Sequence, residues 1–522
     1  MKKWGSFVTL AAMAALAMLP LSAQAAEQKQ AKYVMLFIGD GMGIAQRYAA
    51  EAYLSGSDVT QERKRLLMNT FPALGLSVNA DLTSIIPDSS STGTAIASGH
   101  KTASAVLGMD PDGKIAYKTI AETAKERGWK VGILSSVSLD HATPAVFYAH
   151  QKSRNNMYEI SMELANSNFD FFAGGQLKSP TSKEEGKPDA LETAKANGYT
   201  IAMGRAGFET LKPGMGKVIA MSEFVDDQAA MYYTIDQTPE HVTLAEYTAK
   251  AIELLDNPDG FFMMVEGGKI DWACHANDVV AVIHDVLALD AAIAEAMKFY
   301  EKHPDETLIL VTNDHETGGL SIGYAATKYS SYLEKLQNQK MSNVLFSLKL
   351  DEFKKAHPDA KFEDVLPLIQ EAFGFYVIPA EEKATLEETI KAGNAQDASE
   401  DAKKAAKDAE KTLKSGMALT DSDVAILQDA FNSTMLAKEA RAQDDAAYVS
   451  YGGYEPLTVK LTTMIAKKAG IGWSSYSHSG LPTMTTAIGA GSELFNGYYD
   501  QTDIYKKMMA AAGFEEKAAD AK

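Results

Sequence analysis

The strongest local signal is Val265-Glu-Gly-Gly-Lys-Ile-Asp-Trp-Ala-Cys-His-Ala-Asn277. Asp271 and His275 stand four residues apart, so a helix would turn both to one face, where they could hold one metal ion. The same spacing also suits a plain surface hydrogen bond. Glu266 lies just upstream. Asp314-His315, and His478 between Ser477 and Ser479, add oxygen and nitrogen donors. In Phe37-Ile-Gly-Asp-Gly-Met-Gly43, Asp40 sits among glycines, where the backbone can turn sharply and approach a ligand. That segment has no P-loop lysine and the wrong spacing for a dinucleotide fingerprint. In Pro87-Asp-Ser-Ser-Ser-Thr-Gly-Thr-Ala95, small polar residues run straight into an apolar helical pattern. A hydroxyl there faces the positive end of a helix dipole and free N–H groups, which stabilise an alkoxide and bind oxyanions. Serines are equally ordinary N-caps. Cys274 reads as a small buried hydrophobe in preference to a ligand.

The elements that must position these residues follow from the hydrophobic pattern. Tyr33–Ile38, Leu74–Val78, Val131–Ser135, Phe169–Ala173, Phe261–Val265 and Leu308–Thr312 read as buried strands. Helical periodicity fits Lys118–Arg127, Leu244–Asn257 and Val279–Tyr300. The alternation predicts an α/β fold: a large, mostly parallel central sheet sandwiched between helices. Such sheets place ligands at the carboxyl ends of their strands, and Asp40, Glu266 and Asp314-His315 all fall there. After about residue 325 the strand signals fade. Ala380–Lys414 is a run of Ala, Glu, Lys and Asp with strong helix propensity and little apolar surface, as expected of solvated helices. Thr420-Asp-Ser-Asp423 reads as a helix start. About 325–470 is therefore expected to be a helical insertion into one α/β domain running from 26 to 522.

Composition bounds the partners. The chain has 522 residues, with Lys+Arg 50 against Asp+Glu 69, a formal net charge of −19. Long-range repulsion argues against duplex nucleic acid or an anionic membrane surface as partner. A single cysteine excludes an intramolecular disulfide and a Cys-rich zinc site. Lys2 and Lys3 precede an apolar run from Phe7 to Leu21 that closes on Ala23-Gln24-Ala25, the order of a secretory signal peptide. Residues 1–25 are thus expected to be removed on export, leaving a periplasmic or secreted product free of the membrane.

Taken in order, Gly39-Asp-Gly-Met-Gly43, Asp88-Ser89 through Thr94, His141-Ala-Thr-Pro144 with Arg154, the Glu266/Asp271/His275 segment, Asp314-His315 and His478-Ser-Gly480 resemble the alkaline phosphatase family of metal-dependent phosphomonoesterases. The resemblance spans about 33 to 490, apart from the helical insertion. It implies hydrolysis of small-molecule phosphate monoesters, with broad specificity and an alkaline optimum, at two zinc ions and one magnesium. Residue by residue, Ser89 matches the nucleophile that becomes phosphorylated, and Arg154 the guanidinium that clamps the phosphate. Asp271, His275 and His478 match the ligands of one zinc; Asp40, Asp314 and His315 match those of the second. Asp40, Thr143 and Glu266 match the magnesium site. His141 stands there too, where some members carry Asp, which leaves the third metal's identity open. Trp272 follows Asp271 where many relatives have Lys or His; indole brings no charge, so weaker phosphate retention is expected.

Rival readings within the superfamily are a phosphodiesterase, a sulfatase or a phosphonate-type hydrolase. Asp88-Ser89-Ser90 lacks the Cys/Ser-x-Pro-x-Arg pattern of sulfatases, and Arg154 favours a monoester dianion. An exported metal- or phosphate-binding protein without turnover would have no use for Ser89. Relatives are commonly homodimers; the sequence leaves monomer and dimer both open.

Overall fold

Apolar runs without alternation require burial on both faces, and the sheet supplies it. The computed structural model describes residues 29–413 and 416–514. Its main sheet has ten strands: β1 (Tyr33–Gly39), β2 (Ala73–Val78), β3 (Lys130–Ser135), β4 (Phe171–Gly174), β5 (Tyr199–Met203), β6 (Lys217–Met221), β7 (Phe261–Gly267), β8 (Thr307–Thr312), β9 (Thr483–Gly489) and β10 (Gly497–Asp500). Across the sheet they run β10-β2-β9-β8-β1-β7-β3-β4-β6-β5. Every neighbouring pair is parallel except the two made by β9, with β8 and with β2. The mostly parallel α/β architecture expected from the pattern is the one found.

Period-two alternation splits the core. Tyr33, Met35 and Phe37 enter the cluster that includes the Val279–Tyr300 helix, whereas Val34, Leu36 and Ile38 pack on the opposite face. Central β1 lies between β7 and β8, with Ile38 opposite Glu266 on one side and Thr312 on the other. That register brings Asp40, Glu266 and Asp314 out at one edge of the sheet.

The strand over Leu74–Val78 differs from expectation. It is buried on one face only, Leu74 being 54% exposed, because it lies one place in from the sheet's edge and faces solvent there. The Phe169–Ala173 strand begins at Phe171. β5, β6, β9 and β10 were not foreseen: each is short or carries polar residues that dilute its apolar signal.

Between Ser321–Ile322 and Ile471–Gly472 the described residues form helices, linked by one isolated bridge from Tyr376 to Ala418. Helices Ala380–Gly393 and Glu400–Leu413 pair as a hairpin whose fully buried positions are Gly393, Ala406 and Ala409. The helix Asp421–Met435 starts at Thr420 with a capping box to Asp423. No helix among the described residues is long and apolar enough to cross a membrane. The run read as a signal peptide lies outside the described residues.

Candidate active site

Ser89 is the first residue of the Ser89–Ser98 helix, and Asp88 is its N-cap, accepting from Ser91 N at 3.0 Å. The Ser89 side chain is buried, with Oγ 3.1 Å from His315 Nε2. Asp88 also accepts from Arg154 Nη1 at 3.1 Å. Burial opposes the Asp88 charge, but Arg154 and the hydrogen bonds from Ser90 and Ser91 outweigh it and bring the carboxyl down to about 2. Arg154 Nη2 lies 3.2 Å from His141 Nε2. Burial, then the charge of Arg154, lowers the His141 imidazole to about 3, so the ring is neutral; accepting from Arg154 at Nε2 puts its proton on Nδ1, which would have to leave before that nitrogen could hold a cation. The guanidinium is thus held at two points beside the Ser89 helix terminus, with further N–H groups left to donate.

The acidic residues converge from separate elements. Asp40 follows β1, and Thr143 Oγ1 donates to its Oδ2 at 3.3 Å. Asp314 Oδ1 accepts from Gly41 N at 3.1 Å. Gly41 has φ +66°, and a Cβ there would come within 2.8 Å of Asp271 Oδ1 and Thr317 Oγ1, so both conformation and space demand glycine. Glu266, at the end of β7, accepts from Ser135 Oγ. Burial pushes its carboxyl up to about 8. Asp40 is raised as well, by burial and then by the charges of Asp314, Asp271 and Glu266. Asp40 Oδ1, Glu266 Oε1, Asp314 Oδ2 and His141 Nδ1 are buried without any hydrogen-bond partner, a costly arrangement for polar atoms.

The histidines are still more pointed. His275 Nδ1 lies 2.6 Å from the Tyr476 carbonyl, and His478 Nδ1 2.7 Å from the Pro87 carbonyl. Donation to those carbonyls places the lone pair of each ring on Nε2. The two Nε2 atoms face each other at 3.2 Å, with Asp271 Oδ2 3.3 Å from one and Oδ1 3.8 Å from the other. Two lone pairs and a carboxylate sharing one space fit a cation between them, and nitrogen with oxygen donors suits zinc.

Three groups could hold an ion with one ligand atom from each residue: Asp271 with His275 and His478; Asp40 with Asp271 and His315; and Asp40 with His141 and Glu266. Asp314, expected beside Asp40 and His315, has Oδ2 3.1 Å from His315 Nε2, so it borders the second group. Thr143 reaches the third group through Asp40. All eleven residues expected at the site therefore meet at one edge of the sheet.

Sequence reasoning missed Thr317, whose hydroxyl donates to Asp271 and lies 3.2 Å from His315 Nδ1, coupling two groups. Its place two residues beyond His315, on the same face of an extended segment, was the available signal. The orienting carbonyls of Pro87 and Tyr476 carried none, because backbone groups are the same at every position.

Comparison with known proteins identifies the family. A family model described as alkaline phosphatase matches residues 31–514. Alkaline phosphatase 3 of Bacillus subtilis is 28% identical over 503 residues, covering 94% of this chain and 91% of that protein. The alkaline phosphatase of Escherichia coli is 31% identical over 333 residues, 55% of this chain and 70% of its own length. In fold, the chain is similar to the cold-active alkaline phosphatase of a psychrophilic Shewanella species, with a TM-score of 0.70 at 24% identity over 92% of this chain and 99% of that one. It is likewise similar to the Thermus thermophilus alkaline phosphatase, with a TM-score of 0.70 at 22% identity over 96% of each chain. By its matched length, this chain is an enzyme of the alkaline phosphatase family.

Proposed function

We propose that this chain hydrolyses phosphate monoesters to an alcohol and inorganic phosphate through a phosphoserine at Ser89, after export by its N-terminal segment. The observation that carries the reading is the meeting of the Ser89 hydroxyl, the doubly tethered Arg154 and three ligand groups, among whose buried carboxylates Asp40 Oδ1 and Glu266 Oε1 have no hydrogen-bond partner. The ligand sets are Asp271/His275/His478 and Asp40/Asp314/His315 for zinc, and Asp40/Thr143/Glu266 with His141 for magnesium. The imidazole of His141 favours a softer ion, so zinc competes with magnesium at the third set. When bound, such cations neutralise the ester's charge and act as Lewis acids.

The chain's own groups do the rest. The Ser89 oxygen attacks phosphorus in line with the ester oxygen; the P–O bond to the alcohol breaks, and the alcohol leaves with a proton. Water then attacks the phosphoserine and returns the Ser89 hydroxyl with inorganic phosphate. The N–H groups at the start of the Ser89–Ser98 helix and the planar fork of Arg154 hold the nonbridging oxygens, a dianion match that a lysine would not reproduce. Asp88 and His141 fix the guanidinium before substrate arrives, which removes an ordering cost from the reaction. With cations among its carboxylates, this pocket would let a protein of net charge −19 take an anionic substrate.

The test is rapid mixing with an aryl phosphate. The parent protein is expected to release aryl alcohol in a burst and to carry phosphate on Ser89 when quenched in acid. Ser89→Ala is expected to lose the burst and at least about a thousandfold in kcat, the scale of a lost nucleophile. Steady turnover by Ser89→Ala at the parental rate would overturn the assignment.

A further inference from the structure

Lys269 is a buried cation that the reaction does not use. Its side chain is 1% exposed, and Nζ pairs at 2.7 Å with Asp226 Oδ2, itself 8% exposed. The same ammonium lies 4.0 Å from the ring centre of Tyr233 and 4.7 Å from that of Trp272. Asp226 is fixed in turn, its Oδ1 accepting from Gln228 N at 2.9 Å and Ala230 N at 3.0 Å. The neighbouring Met231 N donates to Ser136 O at 3.0 Å, and Lys269 N to Ser136 Oγ at 3.2 Å. Loop, strand end and helix are thereby locked together around one charge.

What this arrangement holds is the indole. Trp272 meets His141 edge to face, with ring centres 5.7 Å apart and planes at 74°. His141 Nε2 in turn stands 3.2 Å from Arg154 Nη2. A buried ion pair costs more to desolvate than a similar apolar filling, so a packing role alone gives little reason for charge here. A cation against the rings of Tyr233 and Trp272 is directional and fixes where the indole stands.

We infer that Lys269 is a positioning residue: with Asp226 and Tyr233 it holds Trp272 against His141, and through Arg154 it sets how firmly the site grips phosphate. The inference rests on the phosphomonoesterase reading. Its test is a double-mutant cycle on the full, metal-loaded protein, with inorganic phosphate binding measured by calorimetry and metal content measured alongside. Lys269→Met with Asp226→Asn removes both charges together and leaves neither buried alone.

In the Trp272 background this pair is expected to weaken phosphate binding about threefold or more, the low end of what one cation–π contact contributes. In a Trp272→Leu background the same pair is expected to change binding less than about 1.5-fold, because the indole it acts through is gone. Should the pair not fold, Tyr233→Leu enters the same cycle with the same expectation, and Tyr233→Phe, which keeps the ring, is expected to match the parent. Equal shifts in both backgrounds, or none in either, overturn the inference while leaving the phosphomonoesterase reading intact. A parent protein that binds no phosphate overturns both.

Discussion

At the scale of single residues, the position after Asp271 decides what charge the phosphate meets. Trp272 supplies a ring and no donor cation, and the ammonium behind it is spent on Asp226. Trp272→Lys is therefore expected to bind inorganic phosphate about tenfold more tightly, the worth of one hydrogen bond to a charged group, and to lower kcat where product release limits it. Phosphate bound no better by the variant, measured as competitive inhibition, would refute this account. A second residue bears on stability at alkaline pH. His150 lies between Glu122 at 3.6 Å and Glu163 at 3.7 Å, and its Nε2 is 3.0 Å from the Tyr117 carbonyl. Burial lowers its affinity for a proton, but the two carboxylates outweigh burial and raise the imidazole to about 10. An unfolded histidine titrates near ~6.5. The stabilisation is therefore whole below that value and is lost progressively as pH rises through about 10. His150→Gln is expected to unfold at lower denaturant than the parent at pH 6, with the gap closing by pH 10.5; a gap independent of pH would contradict it.

At the scale of elements, the sheet centre was legible and its margins were not. β1, β3, β7 and β8 are apolar on both faces and read as unbroken runs, so the strand ends that carry Asp40, Glu266 and Asp314 could be located from sequence. β5 and β10 carry exposed positions and β9 is threaded with threonine, so no hydrophobic pattern marked them. The same divide runs through the site. Asp, His and Ser declare their chemistry by type, whereas the pairing of Arg154 with Asp88 and His141 depends on tertiary approach. The hairpin of Ala380–Gly393 and Glu400–Leu413 is a case where composition spoke directly: few apolar residues, hence few buried ones. Its base is closed by Tyr376 N donating to Met417 O at 3.2 Å and Leu419 N to Tyr376 O at 2.8 Å. The flanking chain is thus already joined without it. Replacing residues 379–415 by a short glycine linker is expected to leave kcat/KM within about twofold and the melting temperature within a few degrees, since little core is removed. A protein that no longer folds would show that the hairpin supports the sheet, against this reading.

At the scale of the whole molecule, the question is what holds the sheet edge together. The one cysteine, Cys274, is buried and unpaired, so no disulfide contributes. Asp40, Glu266, Asp271 and Asp314 bring four buried carboxyl groups to one place from β1, β7, the Lys269–His275 helix and the segment after β8. Like charges at that density repel, and burial denies them water, so their cluster opposes folding unless cations lie among them. Ions bound to the folded chain alone then stabilise it by mass action, about 4 kcal/mol for a site at a thousandfold its dissociation constant. Stripping the protein with a chelator is expected to lower its melting temperature by on the order of 10 °C and to abolish hydrolysis. Zinc with magnesium should restore both. Magnesium alone should restore neither fully, because the paired imidazoles of His275 and His478 offer nitrogen where that ion prefers oxygen. Calorimetry and a hydrolysis assay on the same samples join the two effects. Turnover that persisted in protein shown to be metal-free would remove the cations from the mechanism, and an unmoved melting temperature would remove them from the fold.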